Sequence, residues 1–340
     1  MDLIKFVTVI AGTKAVIPVS LDFSTLGDGA LPSPLTGATW AISGGKAINT
    51  PTETPVTVTD GGLENWASAT DLTSWTEEIA GTSTVNQDTD AGDIHGGSSA
   101  ARLDVDASNS LARIYQGQYG HTVGDWWAIR AWLKASAAGK TAKLGINNGA
   151  PNGFSHVLTT SLVQYMSTCR STTFVGAQER LTFERTAGTS ASLFVDDFTA
   201  AKLTLATMFA WMDAKQANVT VKGAWILTNG ALGGVIINLD NPTTPLNFVY
   251  AYHTGPDGDT ISLFKCVAGV YSNVLVNQSA AYVEGANVEV RKTASTTYQL
   301  WYNGAQIGAD QTISDAGIIS NTYHGLFGTG GIQANSFFVG

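Results

Sequence analysis

Short runs of alternating apolar and polar residues recur along the whole chain, each closed by Gly, Asn, Asp or Pro. That rhythm constrains the fold more than any other feature. Period-two alternation places one side-chain face in a core and the other in water, as half-buried strands require. The runs are Ala100 to Val105, Trp127 to Ala135, Leu181 to Arg185, Ser192 to Phe198, Ala217 to Trp225, Val235 to Leu239, Phe248 to His253, Thr260 to Val267, Asn287 to Lys292 and Thr297 to Tyr302. The last runs into Asn303-Gly304 and then Ala305-Gln306-Ile307. Asn-Gly between strands marks a tight hairpin, because both turn positions take positive φ. Many short strands with regular turns predict an all-β protein of sandwich or jelly-roll type. One stretch, Leu205 to Ala217, has helix-forming composition and is expected to contain a short helix.

Composition narrows the function. At 340 residues the chain is long enough for two domains. Charged residues make up only 13% while hydrophobic ones reach 44%, so cores are affordable and disorder is excluded. The net charge of −9, with no Lys/Arg cluster, excludes a phosphate-backbone partner, so no nucleic acid is expected. No apolar run is long enough for a membrane span. Cys169 and Cys266 lie far apart and are expected to be free thiols.

Two family resemblances are nested. Leu21-Asp22-Phe23, Asp28-Gly29-Ala30-Leu31 and Ala38-Thr39-Trp40-Ala41-Ile42-Ser43-Gly44-Gly45-Lys46-Ala47 resemble the opening of concanavalin A-like (laminin-G-like) sandwiches. The pattern resumes near Leu203, with Val288 to Arg291, Tyr298 to Gly304 and a closing strand at Asn335 to Val339. Between them, Asp60-Gly61-Gly62-Leu63-Glu64-Asn65-Trp66 resembles the opening of carbohydrate-binding modules of the family 4/9/22 jelly-roll type. Leu72 to Thr76, His95 to Leu103, Trp127 to Ala135 and Leu193 to Phe198 follow in that group's order. The resemblances imply two β-sandwich domains, one inserted into the other. Residues 21–58 plus 203–340 form the outer sandwich, 59–202 the inserted jelly roll and 1–20 N-terminal attachment strands.

The module resemblance implies a structural calcium. By position its ligands are Glu64, Asp196 and carbonyls near Gly97 and Ser98, a hard-oxygen set that calcium favours. The alternative is that both carboxylates serve as turn caps. Asp257 and Asp259 read as a solvated turn. For glycans, alternation puts Trp127, Ile129, Ala131 and Leu133 in the core and Trp126, Ala128, Arg130, Trp132 and Lys134 on the opposite face. Trp126, Arg130 and Trp132, joined by Arg113 and Tyr115 from Leu111 to Tyr119, are the candidate glycan-binding residues. The alternative is that a loop or the outer domain covers them. Trp40, Trp75, Trp225, Tyr250, His253, Trp301 and Tyr302 read as packing residues.

No catalytic site is expected. The eight Glu contain no Glu-x-Asp-x-x-Glu spacing, and adjacent Glu77 and Glu78 would point to opposite faces of a strand. The five His lack metal-site spacing, and no nucleophile elbow or phosphate loop is present. Met1 to Ala11 begins with an acid and carries Lys5, unlike a leader, and Leu3 to Val19 reads as one or two strands. Lectin-like domains without an export signal fit a phage virion surface protein, a capsid decoration or tail/fibre component. It would assemble in the host cytoplasm and act outside. Residues 1–20 would contact other virion proteins, the domains would bind host or environmental polysaccharide, and a homo-oligomer is expected. A bacterial extracellular adhesin and a decoration protein that binds no ligand remain as alternatives.

Overall fold

The computed structural model describes residues 18–106, 111–117, 122–147, 151–171, 180–186, 190–256 and 258–340. Two compact units emerge. The first comprises Met1–Pro51, Leu205–Thr228 and Leu232–Gly340, the second Thr52–Thr204 with Asn229–Ala231. Every strand pair is antiparallel, and among the described residues the helices are limited to single turns. The chain is an all-β sandwich protein.

In the second unit one sheet runs in the order Val163–Arg170, Trp126–Ala135, Ala191–Leu203, Ala100–Val105, Thr84–Asp88, with Glu53–Val56 also beside Ala191–Leu203. The facing sheet runs Pro151–Leu158, Lys140–Asn147, Arg180–Thr186, Leu111–Gly117, Thr76–Ile79. Ile129, Leu133 and Leu193 from one sheet and Ile114, Leu144 and Phe183 from the other are fully buried in one core. Trp75 packs edge-on against Phe198, ring centroids 5.1 Å apart. Burying each such side chain contributes roughly 1.5–3 kcal/mol. Cys169 is buried and is not part of a disulfide.

In the first unit a nine-stranded sheet is centred on Ile332–Val339, which pairs with Thr220–Leu227 on one side and with Val19–Asp22 and Lys46–Asn49 on the other. Asn287–Lys292, Thr297–Tyr302 and Ala305–Thr312 extend it. A six-stranded sheet from Phe209–Asp213 to Val270–Ser279 supplies Val235, Ile237 and Leu326 to the core against the nine-stranded sheet, while Phe248 and Tyr250, also buried, lie on its other face. Close approach needs a glycine at 223. A Cβ there would lie 2.7 Å from Leu326 Cδ2 of the six-stranded sheet. Asn303 and Gly304 both take positive φ, 47° and 81°, as the hairpin requires.

Two buried histidines share one design. His324 Nε2–H donates to the Gln216 carbonyl at 2.8 Å, while Nδ1 accepts the Asn238 N–H at 3.1 Å. His253 Nε2–H donates to the Ala280 carbonyl and Nδ1 accepts the Gly255 N–H. The acceptor role of Nδ1 fixes the neutral form in both. Burial pushes the His253 imidazole down and drives His324 down to about 4.

Three sequence expectations need correction. Leu205 to Ala217 holds only a single 3-10 turn at Leu205–Met208, followed by strand Phe209–Asp213, because sheet pairing with Tyr323–Gly328 overrides helix propensity. The second unit begins before residue 59, since Glu53–Val56 adds to its sheet. Residues 1–17 lie outside the described residues. Val19 and Ser20, assigned to attachment, pair with Val339 and Phe338 of the first unit's own sheet.

Candidate functional site

The calcium candidates meet at one turn. Asp60 opens it with φ of 50°, and its carboxylate accepts the N–H groups of Glu64 at 2.8 Å and Asn65 at 3.1 Å. Leu63 then plugs the core and Glu64 points at residues 97–99. Its carboxylate accepts the Ser98 N–H at 3.0 Å, the Ser98 hydroxyl at 2.7 Å and the Ser99 N–H at 3.3 Å. Burial pushes the Glu64 carboxyl up, but these bonds prevail and hold it below the usual range. Gly97, φ 72°, is required here: a Cβ would fall 1.9 Å from Glu64 Oε1. Asp196 is fully buried and accepts N–H bonds from His95 at 2.7 Å, Gly96 at 3.0 Å and Asp197 at 2.7 Å. Burial raises its pKa despite those bonds.

Glu64, Gly97, Ser98 and Asp196 are thus brought to one turn, which they tie to the opening and closing strands. Asp196 is a buried carboxylate and Glu64 a half-buried one, hard oxygens of the kind calcium takes, and in this structure both accept from N–H and O–H groups, as turn caps do. Among the described residues, however, the trio of acids with oxygens within 4.8 Å of one another is Asp88, Asp90 and Asp93. Arg102 and Lys134 pair with two of those three. Asp257 lies outside the described residues, and Asp259 accepts the Tyr282 N–H.

The five glycan candidates do not form one face. Trp126 is 2% exposed, which corrects its assignment to an open face. Alternation does carry through Trp126–Ala135: Trp127, Ile129, Ala131, Leu133 and Ala135 lie in the core, Trp126 is buried on the other face, and the irregular register with Ala191–Leu203 comes from an extra residue on that partner strand near Asp197, φ 46°. Trp132 is half-buried beneath the loop that follows Thr84–Asp88. His95 stacks on its ring, centroids 3.7 Å apart and planes 12° apart. Arg130 makes a two-pronged ion pair with Glu53, at 2.9 and 2.5 Å. Arg113 and Tyr115 belong to the opposite sheet. Arg113 is nearly buried and bonds Glu78 at 2.9 Å, while Tyr115 is half-buried.

A solvent-side aromatic that the sequence reading assigned to packing lies in the first unit. Tyr298, Leu300 and Tyr302 face the core, so Trp301 faces outward. The register aligns Phe338, Lys222, Glu289, Trp301 and Gln306 on successive strands of the nine-stranded sheet. Phe338 and Trp301 are therefore about 14 Å apart, three strand spacings. The Arg291 guanidinium lies 3.7 Å from the Trp301 ring centroid and bonds Glu289 at 2.5 Å. Lys222 sits over Phe338 at 4.9 Å. Gln299 accepts the Trp301 indole N–H at 3.1 Å, and Gln299 and Gln306 both donate to Asp310. Aromatic rings, planar carboxamides and paired charges on an open sheet face can stack on sugar C–H faces and bond hydroxyls. The signal was legible: in Thr297–Tyr302, Trp301 alternates with three core residues.

No family model matches the sequence, and no curated protein matches it. Solved structures give distant likenesses. The chain is similar to the carbohydrate-binding module CBM66 from Bacillus subtilis, at 12% identity and TM-score 0.29, over 38% of this chain and 78% of that one. It is similar to the CBM22-1–CBM22-2 tandem of Paenibacillus barcinonensis Xyn10C, at 8% identity and TM-score 0.35, over 86% of this chain and 99% of that one. The enzymatically active domain of bacteriophage CBA120 tailspike protein 4 shows 15% identity and TM-score 0.33, over 44% of this chain and 21% of that one.

Proposed function

We propose that this chain is a non-enzymatic, glycan-binding protein of a virion surface, with the outer face of the nine-stranded sheet as its main ligand face. One observation carries the reading: Trp301 stands on the solvent side among Arg291, Lys222, Glu289, Gln299 and Gln306. The low share of charged residues and the Gly-rich composition suit an outward-facing virion component such as a capsid decoration or tail/fibre protein. Contacts to other virion proteins through the N-terminal segment and a homo-oligomeric state belong to the same proposal.

Affinity gel electrophoresis against bacterial surface and plant or algal polysaccharides tests the ligand. We expect retention of the full chain by at least one neutral polysaccharide. Trp301→Ala weakens it roughly tenfold, equivalent to about 1.4 kcal/mol. Trp132→Ala leaves it unchanged, because that ring belongs to the other unit and lies beneath the loop that follows Thr84–Asp88. Equal retention of wild type and Trp301→Ala sinks the assignment. A purely architectural role is the second reading, favoured by the burial of Trp126 and the covering of Trp132. Retention by no polysaccharide decides for it.

We also propose that calcium is held by Glu64 and Asp196 with the carbonyls of Gly97 and Ser98. A cation there compensates buried negative charge and ties the ends of the second unit together. Excess chelator should lower the melting transition of that unit by several degrees, and added calcium should restore it. A transition that ignores both treatments contradicts the site.

A further inference from the structure

The charges on the outer face of the nine-stranded sheet are not equally engaged. Phe338, Lys222, Glu289, Trp301 and Gln306 stand on successive strands, so their row runs across the strands. Glu289 is 7% exposed and is neutralised by Arg291, whose guanidinium also lies against the Trp301 ring. Asp310, at the Gln306 end, accepts an amide N–H from Gln299 at 2.8 Å and one from Gln306 at 3.0 Å. It has no cationic partner among the described residues. Lys222 is half-buried near the other end. Its ammonium sits 4.9 Å from the Phe338 ring centroid and makes no ion pair among the described residues.

One end of the row therefore carries an uncommitted cation and the other an uncompensated carboxylate. An anionic group gains at Lys222 and loses near Asp310, so the face fixes the direction of a ligand as well as its charge. Trp301 and Lys222 are two strand spacings apart, about 10 Å. Lysine presents a compact point charge, so a carboxylate and a sulfate ester suit it equally. The net charge of −9 opposes a polyanion at long range. At about 0.15 M salt the screening length is about 8 Å, so distant charges fade and the contact at Lys222 decides.

We propose that this face prefers an anionic polysaccharide, with a neutral ring stacked on Trp301 and the carboxylate or sulfate ester of a unit about 10 Å away meeting Lys222. The proposal rests on the glycan-binding reading and adds a charge preference and a direction to it. Neutral polymers keep the stacking and amide contacts and bind more weakly.

Retention of the full chain on polymer-bearing beads tests it. Hyaluronan, alginate and polygalacturonate are each compared with their carboxyl-reduced form, and chondroitin sulfate with desulfated chondroitin, which separates the two anions. At least one anionic polymer should bind about threefold to fivefold more tightly than its counterpart, the scale of an exposed ion pair. Lys222→Gln should bring the two members of that pair level, and Lys222→Arg should preserve the difference. Raising the salt from about 0.15 M to about 0.5 M should also level them, with no variant needed. Two results overturn the preference: no anionic polymer is held more tightly than its counterpart, or the difference survives in Lys222→Gln with a wild-type melting curve. If that variant fails to fold, survival of the difference at high salt overturns it instead. Any of these, with neutral polymers still retained and weakened by Trp301→Ala, leaves the glycan-binding reading standing. Retention by no polymer, neutral or anionic, removes both.

Discussion

Asp196→Ala should lower the stability of the second unit by about 3–5 kcal/mol. The side chain is fully buried and accepts three backbone N–H bonds, from His95, Gly96 and Asp197. Alanine leaves those donors without an acceptor, at roughly 1–3 kcal/mol for each one that stays buried. Some will reach water once the turn loosens, which keeps the sum below the simple maximum. At about 2–4 °C per kcal/mol for a unit of this size, its transition should fall by roughly 10 °C or more. Calorimetry of the full chain should show the first unit's transition in place, because distant sites act nearly independently. Asp196→Asn should fall in between, since one amide oxygen still accepts while the NH₂ opposes a donor. A loss below about 1 kcal/mol for Asp196→Ala would mean that the 95–99 turn does not depend on this carboxylate.

The first unit should lose stability on mild acidification. His324 has a folded-state pKa of about 4 against an ordinary 6.5, because its ring is buried and Nδ1 already accepts the Asn238 N–H. A lowered imidazole pKa means that the unfolded chain binds the proton more readily. The stabilisation is complete above pH 6.5 and is lost as the pH falls towards 4. The shift corresponds to about 3 kcal/mol at most. His253 is shifted in the same direction by the same cause and adds to the slope. Denaturant unfolding followed from pH 7 to pH 4 should show this decline in the first unit's transition. His324→Gln should be less stable at pH 7 but flatter over the window. An equally steep slope in the variant would assign the acid sensitivity elsewhere.

Much of the fold was legible because strand periodicity is local. Ala100–Val105, Phe248–His253, Thr260–Val267, Asn287–Lys292 and Thr297–Tyr302 coincide with the runs read from alternation. The Asn303-Gly304 turn followed from backbone chemistry alone. Strand Glu53–Val56 was missed because Glu-Thr-Pro-Val carries no alternation, and it is fixed by its pairing with Ala191–Leu203. The helix expected within Leu205 to Ala217 yielded to sheet pairing for the same non-local reason.

The candidate sites were less legible. The gathering of Glu64, Ser98 and Asp196 was expected from motif order. What covers a side chain was not, because that depends on residues distant in sequence. His95 reaches Trp132 only because the turn is tied to Asp196 and Asp197. Two-residue counting across Trp126–Ala135 gave the core face, Trp127, Ile129, Ala131 and Leu133, but not the burial of Trp126 on the other face. Trp301 could have been placed on the solvent side from its own strand, where Tyr298, Leu300 and Tyr302 already fill the core-facing positions.

Hydrogen–deuterium exchange of the full chain, with and without the polysaccharide that retains it, addresses the ligand face most directly. Occupation of the Trp301 face predicts slower exchange in Asn287–Lys292, Thr297–Tyr302 and Ala305–Thr312, with the effect absent in Trp301→Ala. Unchanged exchange in those three strands, with protection confined to other parts of the chain or found nowhere, would contradict it.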